Sequence, residues 1–472
     1  MQTIKQLALL IKSGEISPVD CLQEALKKIK KTNDKSHIFI TVCEERAYAE
    51  AYKAEKEISR GEYRGPLHGI PYTLKDLFNT KDVRTTGGSK VLDDNTPNED
   101  ARVVRILQQK GAVLLGKTNL HEFAYGITGE NSHYGTVTNP HDGTRLAGGS
   151  SSGSAAAVVM GQGVFSLGTD TGGSIRVPSA LCGIVGFKPT YGLLSCEGVI
   201  PFCWSLDHVG ILTSSVYDSQ QVFAALAPGR NENLSFSPSL NGLKIGIPET
   251  YFYEKLDPEI EQRLEKVKKE IESLGARLVS VEMPELKNSR TVSLVLQLPE
   301  ALSYYSRYLE DKGKLFGDDV KAGLTAGQFI LAEHYLRAKR MAKLYRQEMS
   351  SVFQKVDLIL TPGTPCIAPK VGTKTVELGM QSEAVGNALT RFTSFFNITG
   401  SPAMTIPCGF HTKGLPISFQ LIADVNNEET LIRTALTLEH FKVSDGLRVS
   451  DSGVSEHFTK KYSKELQKPS EN

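Results

Sequence analysis

The stretch from Gly143 to Pro178 restricts the possible folds most, because nearly all of its residues are small. It reads GTRLAGGSSSGSAAAVVMGQGVFSLGTDTGGSIRVP, in which Gly, Ser, Ala, Thr and small aliphatic residues predominate. Two turns combine glycine with serine, Gly148-Gly149-Ser150-Ser151 and Thr171-Gly172-Gly173-Ser174. Between these turns, the apolar runs 155–160 and 164–167 predict a short buried helix followed by a strand.

The second turn has the composition of a main-chain anion site. Successive glycines adopt positive φ, so several N–H groups can point into one small space. Such donors stabilise a developing oxyanion, usually the largest single contribution to acyl-transfer catalysis. Ser174 ends the turn and is the candidate nucleophile. Asp170 and Arg176 flank the turn and can pair across it, a structural role.

A serine nucleophile needs a base, and the sequence offers a lysine for this task. No histidine lies between His141 and His208. A lysine can replace histidine where burial keeps the amine neutral. Lys75 follows residues 70–74, which predict a buried strand, so it is the candidate base.

Motifs along most of the chain resemble the amidase signature family of serine hydrolases. The matching segments lie between about Thr3 and about His440 and are 69–76, 115–119, 122–124, 148–151, 168–176, 186–190 and 205–210. The resemblance implies an α/β fold with a large twisted mixed β-sheet that is covered by helices on both faces.

The resemblance also implies a Ser-cisSer-Lys triad. Ser174 matches the nucleophile, Ser150 matches the bridging serine after a cis Gly149-Ser150 bond, and Lys75 matches the base. The oxyanion hole matches the main-chain N–H groups of Thr171, Gly172, Gly173 and Ser174.

Each of these residues also has a structural interpretation. Ser150 and Ser151 could be helix N-caps before Ala155, Ser174 a turn residue, and Lys75 a surface charge. Three matches at the family's spacing favour the triad over these separate interpretations.

Two rival motifs are disfavoured by their context. Residues 149–153 fit G-x-S-x-G, with Ser151 as the nucleophile of an α/β-hydrolase, but that motif needs a strand immediately before it. Residues 142–147 make a poor strand. A phosphate-binding loop would need Gly-Lys-Ser/Thr after its glycines, and none follows Gly148 or Gly172.

Composition and motif counts restrict the partners. The 472 residues carry a formal net charge of +1, which indicates no polyanionic partner and no direct nucleic-acid binding. The N-terminal apolar run is too short for a signal peptide, and no apolar run has the roughly 18 residues of a membrane span.

The seven cysteines are scattered, as in a protein of the reducing cytoplasm. Without an HExxH motif or a Cys/His cluster, we expect no metal and no cofactor.

The motifs favour one domain over residues 1–472. We expect it to comprise N-terminal helices (1–65), a catalytic core (66–228), a variable and mostly helical region (229–356), a C-terminal part of the core (357–445) and a polar tail (446–472). The candidate substrate-binding residues are Phe123, Tyr125, Ser151, Phe202 and Trp204. The first two aromatic residues are equally compatible with the core.

The family contains two kinds of enzyme that this chain could represent. One kind hydrolyses small-molecule amides. The other is the A subunit of the tRNA-dependent amidotransferase, which releases ammonia from glutamine for partner subunits and reads glutamine with an arginine and an aspartate. Those positions correspond to Ala342 and Asn427, so both charges would be missing, although a slipped alignment could restore them from Arg340, Arg346, Asp424 and Glu428.

The sequence therefore favours a hydrolase of small amides. The alternative is the amidotransferase role, in which the chain would work with partner subunits. A homodimer is compatible with either role. A non-catalytic binding protein is disfavoured by the intact Lys75, Ser150 and Ser174.

Overall fold

The secondary structure is given by a computed structural model, which describes residues 3–230, 234–283, 286–379, 381–441 and 443. Within these residues, the strands are β1 (Phe39–Val42), β2 (Pro71–Lys75), β3 (Val113–Thr118), β4 (Thr138–Asn139), β5 (Asp142–Leu146), β6 (Phe165–Asp170), β7 (Val185–Lys188), β8 (His208–Thr213), β9 (Lys244–Ile247), β10 (Arg277–Ser280), β11 (Leu358–Pro362), β12 (Thr375–Leu378), β13 (Gln381–Ala384), β14 (Ala403–Phe410) and β15 (Pro416–Ala423). The predicted polar tail, 446–472, lies outside the described residues.

The helices of the same described ranges precede, separate and follow these strands. They are α1 (Ile4–Ser13), α2 (Pro18–Ser36), α3 (Glu44–Ser59), α4 (Arg102–Gln109), α5 (Ser152–Val159), α6 (Arg176–Cys182), α7 (Val216–Leu226), α8 (Glu249–Phe252), α9 (Pro258–Ser273), α10 (Ser289–Lys312), α11 (Asp318–Ala326), α12 (Ala332–Phe353), α13 (Val385–Thr390), α14 (Phe395–Thr399) and α15 (Glu428–His440).

One mixed sheet contains strands from early and late parts of the chain. Its order is β1-β3-β2-β6-β8-β7-β14-β15-β11-β9-β10. β2 runs parallel to β3 and to β6, so the carboxyl ends of these three strands lie at the same edge. β8 is antiparallel to β6 and β7, and β14 is antiparallel to β7. The α/β fold predicted from the sequence is confirmed.

Local capping sets the first two helices. The Thr3 hydroxyl accepts the Gln6 N–H at 3.2 Å, and Gln6 Oε1 accepts the Thr3 N–H at 3.2 Å. Ser17 and Asp20 make the same reciprocal pair at 3.0 Å, with Pro18 in the first turn of α2. These capping boxes satisfy main-chain donors at the helix starts.

Helix α5 lies close against the sheet because its residues are small. Every residue of α5 is buried. A Cβ at Gly153 would come within 2.6 Å of the carbonyl oxygens of Asn119 and Ile38, so only glycine permits this approach. The contact fixes the loop immediately before α5, which carries Ser150.

The sequence predicts a single helix over 384–396, and this prediction is wrong. The structure has two short helices, α13 and α14, with residues 391–394 forming a turn between them. In that turn, the Thr393 hydroxyl donates to the Gly172 carbonyl at 2.6 Å. The residues between the two helices therefore contact the second glycine turn. Local periodicity in the sequence does not encode this tertiary contact.

The sequence predicts a poor strand over 142–147, but Asp142–Leu146 forms β5. The strand is antiparallel to β4. Arg145 donates to the Ala368 carbonyl at 2.6 Å, and the Leu146 N–H donates to the Pro369 carbonyl at 2.8 Å. Partners far along the chain thus stabilise a segment whose own pattern is weak.

Candidate active site

A tight turn joins β6 to α6 and carries Ser174. Gly173 has a φ of +133°, and a Cβ there would come within 2.3 Å of the Thr393 hydroxyl oxygen. Only glycine fits both conditions. The expectation that Asp170 and Arg176 pair across the turn is confirmed by the 2.9 Å between Asp170 Oδ1 and Arg176 Nη2.

The buried Asp170 carboxylate holds the turn in place. It accepts the Gly173 N–H at 2.9 Å, while Arg176 also donates to Gln420 Oε1 and Asn397 Oδ1, each at 2.7 Å. Although burial acts to raise it, the charge and hydrogen bonds of Arg176 hold the pKa of Asp170 well below its ordinary value. The carboxylate therefore stays ionised, and a network reaching β15 and α14 supports the turn.

The four N–H groups assigned to the oxyanion hole are not equivalent. The Gly173 N–H is bonded to Asp170. In the described part of the chain, the N–H groups of Thr171, Gly172 and Ser174 donate no hydrogen bond. These three donors are available to a ligand, whereas Gly173 provides the conformation of the turn.

Lys75 and Ser150 are in contact at the carboxyl end of β2. Lys75 Nζ donates to Ser150 Oγ at 2.7 Å and to Thr169 Oγ1 at 2.8 Å. The Gly149–Ser150 peptide bond is cis, as the resemblance implies. Burial lowers the pKa of Lys75 to about 7, against the opposing effect of two buried aspartates. A neutral amine is therefore available near neutral pH.

Ser151 connects the two glycine turns, and both its N–H group and its hydroxyl are already hydrogen-bonded. Its N–H donates to the Ser174 carbonyl at 3.3 Å, and its hydroxyl donates to the Thr169 carbonyl at 3.3 Å. It stands at the N-cap position of α5 without capping the helix by its side chain. The strand β5 does precede this segment, but the bonded Ser151 hydroxyl does not support the α/β-hydrolase interpretation.

Asp207 is a buried neighbour of the site that sequence reasoning missed, although a matching motif contains it. Its Oδ1 accepts the Thr171 hydroxyl at 2.5 Å, and its Oδ2 accepts the Phe202 N–H at 2.9 Å. Burial raises the pKa of Asp207 to about 6, although hydrogen bonds and the charge of Lys75 lower it. The side chain joins the turn that carries Ser174 to the loop that carries Phe202.

A cavity of about 160 Å³ opens beside Ser174. It lies between the turn that carries Ser174, one face of α10 and the broken segment of α13 and α14. The residues that line it are Ala124, Tyr125, Gly126, Ile127, Thr171, Gly172, Ser174, Phe202, Arg290, Ser293, Leu294, Gln297, Leu298, Gly386, Thr390 and Ser394.

The structure separates the predicted pocket aromatics into two groups. Tyr125 and Phe202 line the cavity and pack edge to face, with ring centroids 4.9 Å apart. Phe123 is buried in the core, where its ring packs 4.5 Å from that of Tyr305. Trp204 is 50% exposed and, like Ser151, is not among the lining residues.

Neither position assigned to glutamine recognition lines the cavity. Ala342 is buried in α12, and the Asn427 side chain caps α15. Nearby, Arg346 donates to a main-chain carbonyl, and Glu428 accepts a main-chain N–H. Among the described lining residues, Arg290 is the charged one. It lies in a helical region, and no sequence motif there indicates a functional residue.

Membrane-spanning helices and metal sites are both absent from the described ranges. None of the helices there combines the length and apolar character needed to cross a bilayer. Nor do three His, Cys, Asp or Glu side chains of those ranges gather as potential ligands of a metal ion.

The family model described as Amidase matches residues 20–432. The chain belongs to the amidase family. The resemblance inferred from the motifs is thus confirmed over most of the sequence.

Proteins of two descriptions are similar to this amidase-family chain. The A subunit of glutamyl-tRNA(Gln) amidotransferase from Carboxydothermus hydrogenoformans is 37% identical over 472 residues, covering 92% of this chain and 96% of the relative. A solved structure described as an amidase superimposes with a TM-score of 0.88 and 35% identity, covering 93% of this chain and 100% of the other. The crystal structure of the corresponding A subunit from Thermotoga maritima gives a TM-score of 0.73 and 31% identity, covering 90% and 94%.

Proposed function

We propose that this chain hydrolyses the C–N bond of a carboxamide through an acyl-enzyme on Ser174. The observation that supports this most is the 2.7 Å contact between Lys75 Nζ and Ser150 Oγ, next to the turn whose Ser174 lines the cavity. A buried amine that is neutral near pH 7 can act as a general base, and a serine can pass the proton to it.

Acylation begins with two coupled proton transfers. Neutral Lys75 takes the proton of Ser150, as Ser150 takes that of Ser174. Ser174 Oγ then bonds to the carbonyl carbon, and an electron pair of the C=O bond moves onto the oxygen. The free N–H groups of Thr171, Gly172 and Ser174 stabilise this oxyanion. When the C–N bond breaks, the proton returns through Ser150 to the leaving nitrogen.

Deacylation uses the same groups with water as the nucleophile. Water gives a proton to Ser150, and Ser150 passes its own proton to Lys75, as the water oxygen bonds to the acyl carbon. The ester bond to Ser174 then breaks, and the relayed proton restores the serine hydroxyl. The products are a carboxylic acid and ammonia or an amine.

Glutamine is the carboxamide that the sequence comparisons favour. Relatives at 37% and 38% identity, covering 92% and 91% of this chain, are A subunits of glutamyl-tRNA(Gln) amidotransferases. In that role the chain would supply ammonia to partner subunits. These comparisons favour the alternative over the small-amide hydrolase that the sequence motifs favour.

A small amide hydrolysed without partner subunits is the second candidate, and the cavity favours it. Neither Ala342 nor Asn427 offers a charge there. The TM-score is also higher against the structure described as an amidase, 0.88, than against the Thermotoga protein, 0.73.

The reaction class is tested by covalent labelling with a fluorophosphonate probe. We expect the wild-type protein to be labelled and Ser174→Ala to be unlabelled, because the probe reacts with an activated serine. Ser152→Ala is the matched control, since its buried hydroxyl has no hydrogen-bond partner in the described residues and takes no part in the relay. An unlabelled wild type, or labelling that persists in Ser174→Ala, would contradict the acyl-enzyme.

The two candidate amides are distinguished by rates and by assembly. Ammonia release from glutamine, together with co-purification of partner subunits that bind tRNA, would establish the amidotransferase role. Faster hydrolysis of aliphatic or aryl amides by the isolated chain would establish the stand-alone role.

A further inference from the structure

The cavity beside Ser174 carries a positive charge that the proposed reaction does not use. Arg290 lies in the first turn of α10, and Ser293 and Gln297, at helical spacing from it, line the same cavity. The remaining described lining residues are uncharged. The reaction as derived requires only a carbonyl group near Ser174, so the guanidinium needs another explanation.

Arg290 has few partners for a guanidinium that is largely buried. Its Nη1 donates to the hydroxyl of Thr390, which in turn donates to the Gly386 carbonyl at 2.7 Å. In the described ranges its Nε has no hydrogen-bond partner, and no carboxylate lies within 4 Å of the guanidinium. The carboxylate of Glu383 acts on Arg290 only through longer-range electrostatics.

The neighbouring Arg391 shows what a compensated guanidinium looks like in this region. It lies over the Tyr251 ring, 4.2 Å from the centroid, and donates to the Tyr251 carbonyl at 2.9 Å. Glu254 and Glu383 lie 3.9 and 4.0 Å from it. Arg391 is not among the lining residues of the cavity. Its Nε, like that of Arg290, has no hydrogen-bond partner in the described ranges, but two carboxylates lie within 4 Å of its guanidinium and none lies that close to Arg290.

A buried charge without a counterion is costly, and burial lowers the pKa of Arg290. When a planar anion binds in the cavity, it pairs with the guanidinium and offsets the free-energy cost of burying that charge. Carboxylate is the anion whose two oxygens match its fork of donors. The cavity is small, so such an anion and the reacting carbonyl must belong to one compact molecule.

We propose that Arg290 binds a carboxylate of the substrate, so that the preferred substrates are half-amides of short dicarboxylic acids. The amide carbonyl lies at Ser174 and the carboxylate lies at Arg290. This inference rests on the proposed amide hydrolysis and specifies its substrate class. No aspartate or glutamate occurs among the described lining residues, so nothing there pairs with an α-ammonium group. Glutaramate, which is glutamine without that group, should therefore be hydrolysed at least as well as glutamine.

The test compares the half-amides succinamate and glutaramate with the diamides of the same two acids. For the wild type we expect kcat/KM to be about 10- to 100-fold higher for the half-amides, the usual size of a charge-assisted hydrogen-bond pair. In Arg290→Met this ratio should fall to near one. Arg391→Met, which removes the neighbouring guanidinium outside the cavity, should keep the ratio.

A second measurement does not depend on turnover. Glutarate should protect Ser174 from the fluorophosphonate probe, and the half-protecting concentration should rise at least tenfold in Arg290→Met but not in Arg391→Met. If Arg290→Met does not fold, the ratio and the protection measured on the wild type decide the matter. Equal wild-type rates for half-amides and diamides, or no protection by glutarate, would overturn the role of Arg290 alone. Absence of both labelling and hydrolysis would overturn the proposed function, and this inference with it.

Discussion

Two buried lysines lie at the ends of neighbouring parallel strands, and they differ in what surrounds the amine. Lys117 Nζ, on β3, lies 3.2 Å from Asp76 Oδ1 and donates to the Phe78 carbonyl at 2.6 Å. Lys75 Nζ, on β2, donates to the hydroxyls of Ser150 and Thr169, and no carboxylate of the described residues lies within 4 Å of it.

The neighbours, more than the depth of burial, separate the two roles. Both side chains are inaccessible to solvent, and burial lowers the pKa of both amines. At Lys117 the adjacent Asp76 opposes this effect and pairs with the charge. At Lys75 hydroxyl groups replace the carboxylate, so the amine can lose and regain a proton near pH 7. One strand end is thus suited to structure, and the next to proton transfer.

Removing the Lys75 amine should have the largest effect. In Lys75→Met we expect the rate of fluorophosphonate labelling at Ser174 to fall by roughly 10²- to 10⁴-fold, the usual contribution of a general base. The free energy of unfolding should change by only about 1 kcal/mol, because the amine makes hydrogen bonds without an ion pair. If the labelling rate of Lys75→Met stays within roughly threefold of the wild-type rate, Lys75 is not the general base, and the proposed difference between Lys75 and Lys117 is wrong.

The same substitution at Lys117 should reverse the pattern. Lys117→Met leaves the Asp76 carboxylate buried and unpaired, so we expect a loss of about 3–5 kcal/mol in the free energy of unfolding. Urea titration measures this loss, and the fraction that remains folded should label at close to the wild-type rate. A variant as stable as wild type would show that the ion pair is not structural.

The pKa of Lys75 also gives the reaction a pH dependence. Since the amine accepts a proton only when neutral, the labelling rate should rise as pH increases through about 7 and then level off. Between about 7 and the ordinary 10.5, the unfolded chain binds more protons than the folded one, so the free energy of unfolding should also rise with pH. Lys75→Met should lose both dependences, and a labelling rate that does not change between about pH 6 and about pH 8 would contradict the assignment.

A smaller change sharpens the comparison between the strands. Thr169→Val removes a hydroxyl that accepts from Lys75, which disfavours the protonated amine. The rising limb of the pH profile should therefore move to lower pH by less than about one unit. Thr85→Val is the matched control, because Thr85 accepts from Lys117 Nζ at 2.7 Å. It should leave the limb where it is.

Candidate residues that lie within short motifs could be proposed from the sequence, and the structure places Lys75 and Ser150 in contact and Ser174 beside the cavity. Glycine turns and their spacing indicated Ser150 and Ser174, and the apolar strand before Lys75 indicated its burial. Asp207 lies within a matching motif, but its contact with Thr171 depends on how two loops meet.

Features made by packing between distant segments could not be predicted in this way. Arg290 reaches the cavity only because α10 lies across the turn that carries Ser174. The break between α13 and α14 follows from the contact of Thr393 with Gly172, and β5 follows from pairing with residues far along the chain. In each case the deciding partner lies outside the window in which periodicity is read.

The contacts that support the turn carrying Ser174 have a consequence for the order in which the chain is made. Arg176 is held by Asn397 and Gln420, which the ribosome adds 221 and 244 residues after it. A nascent polypeptide that stops before α14 already contains Lys75 and both serines, yet it lacks these two anchors. We therefore expect the turn to become fully supported only after both anchors have been translated, long after Lys75, Ser150 and Ser174.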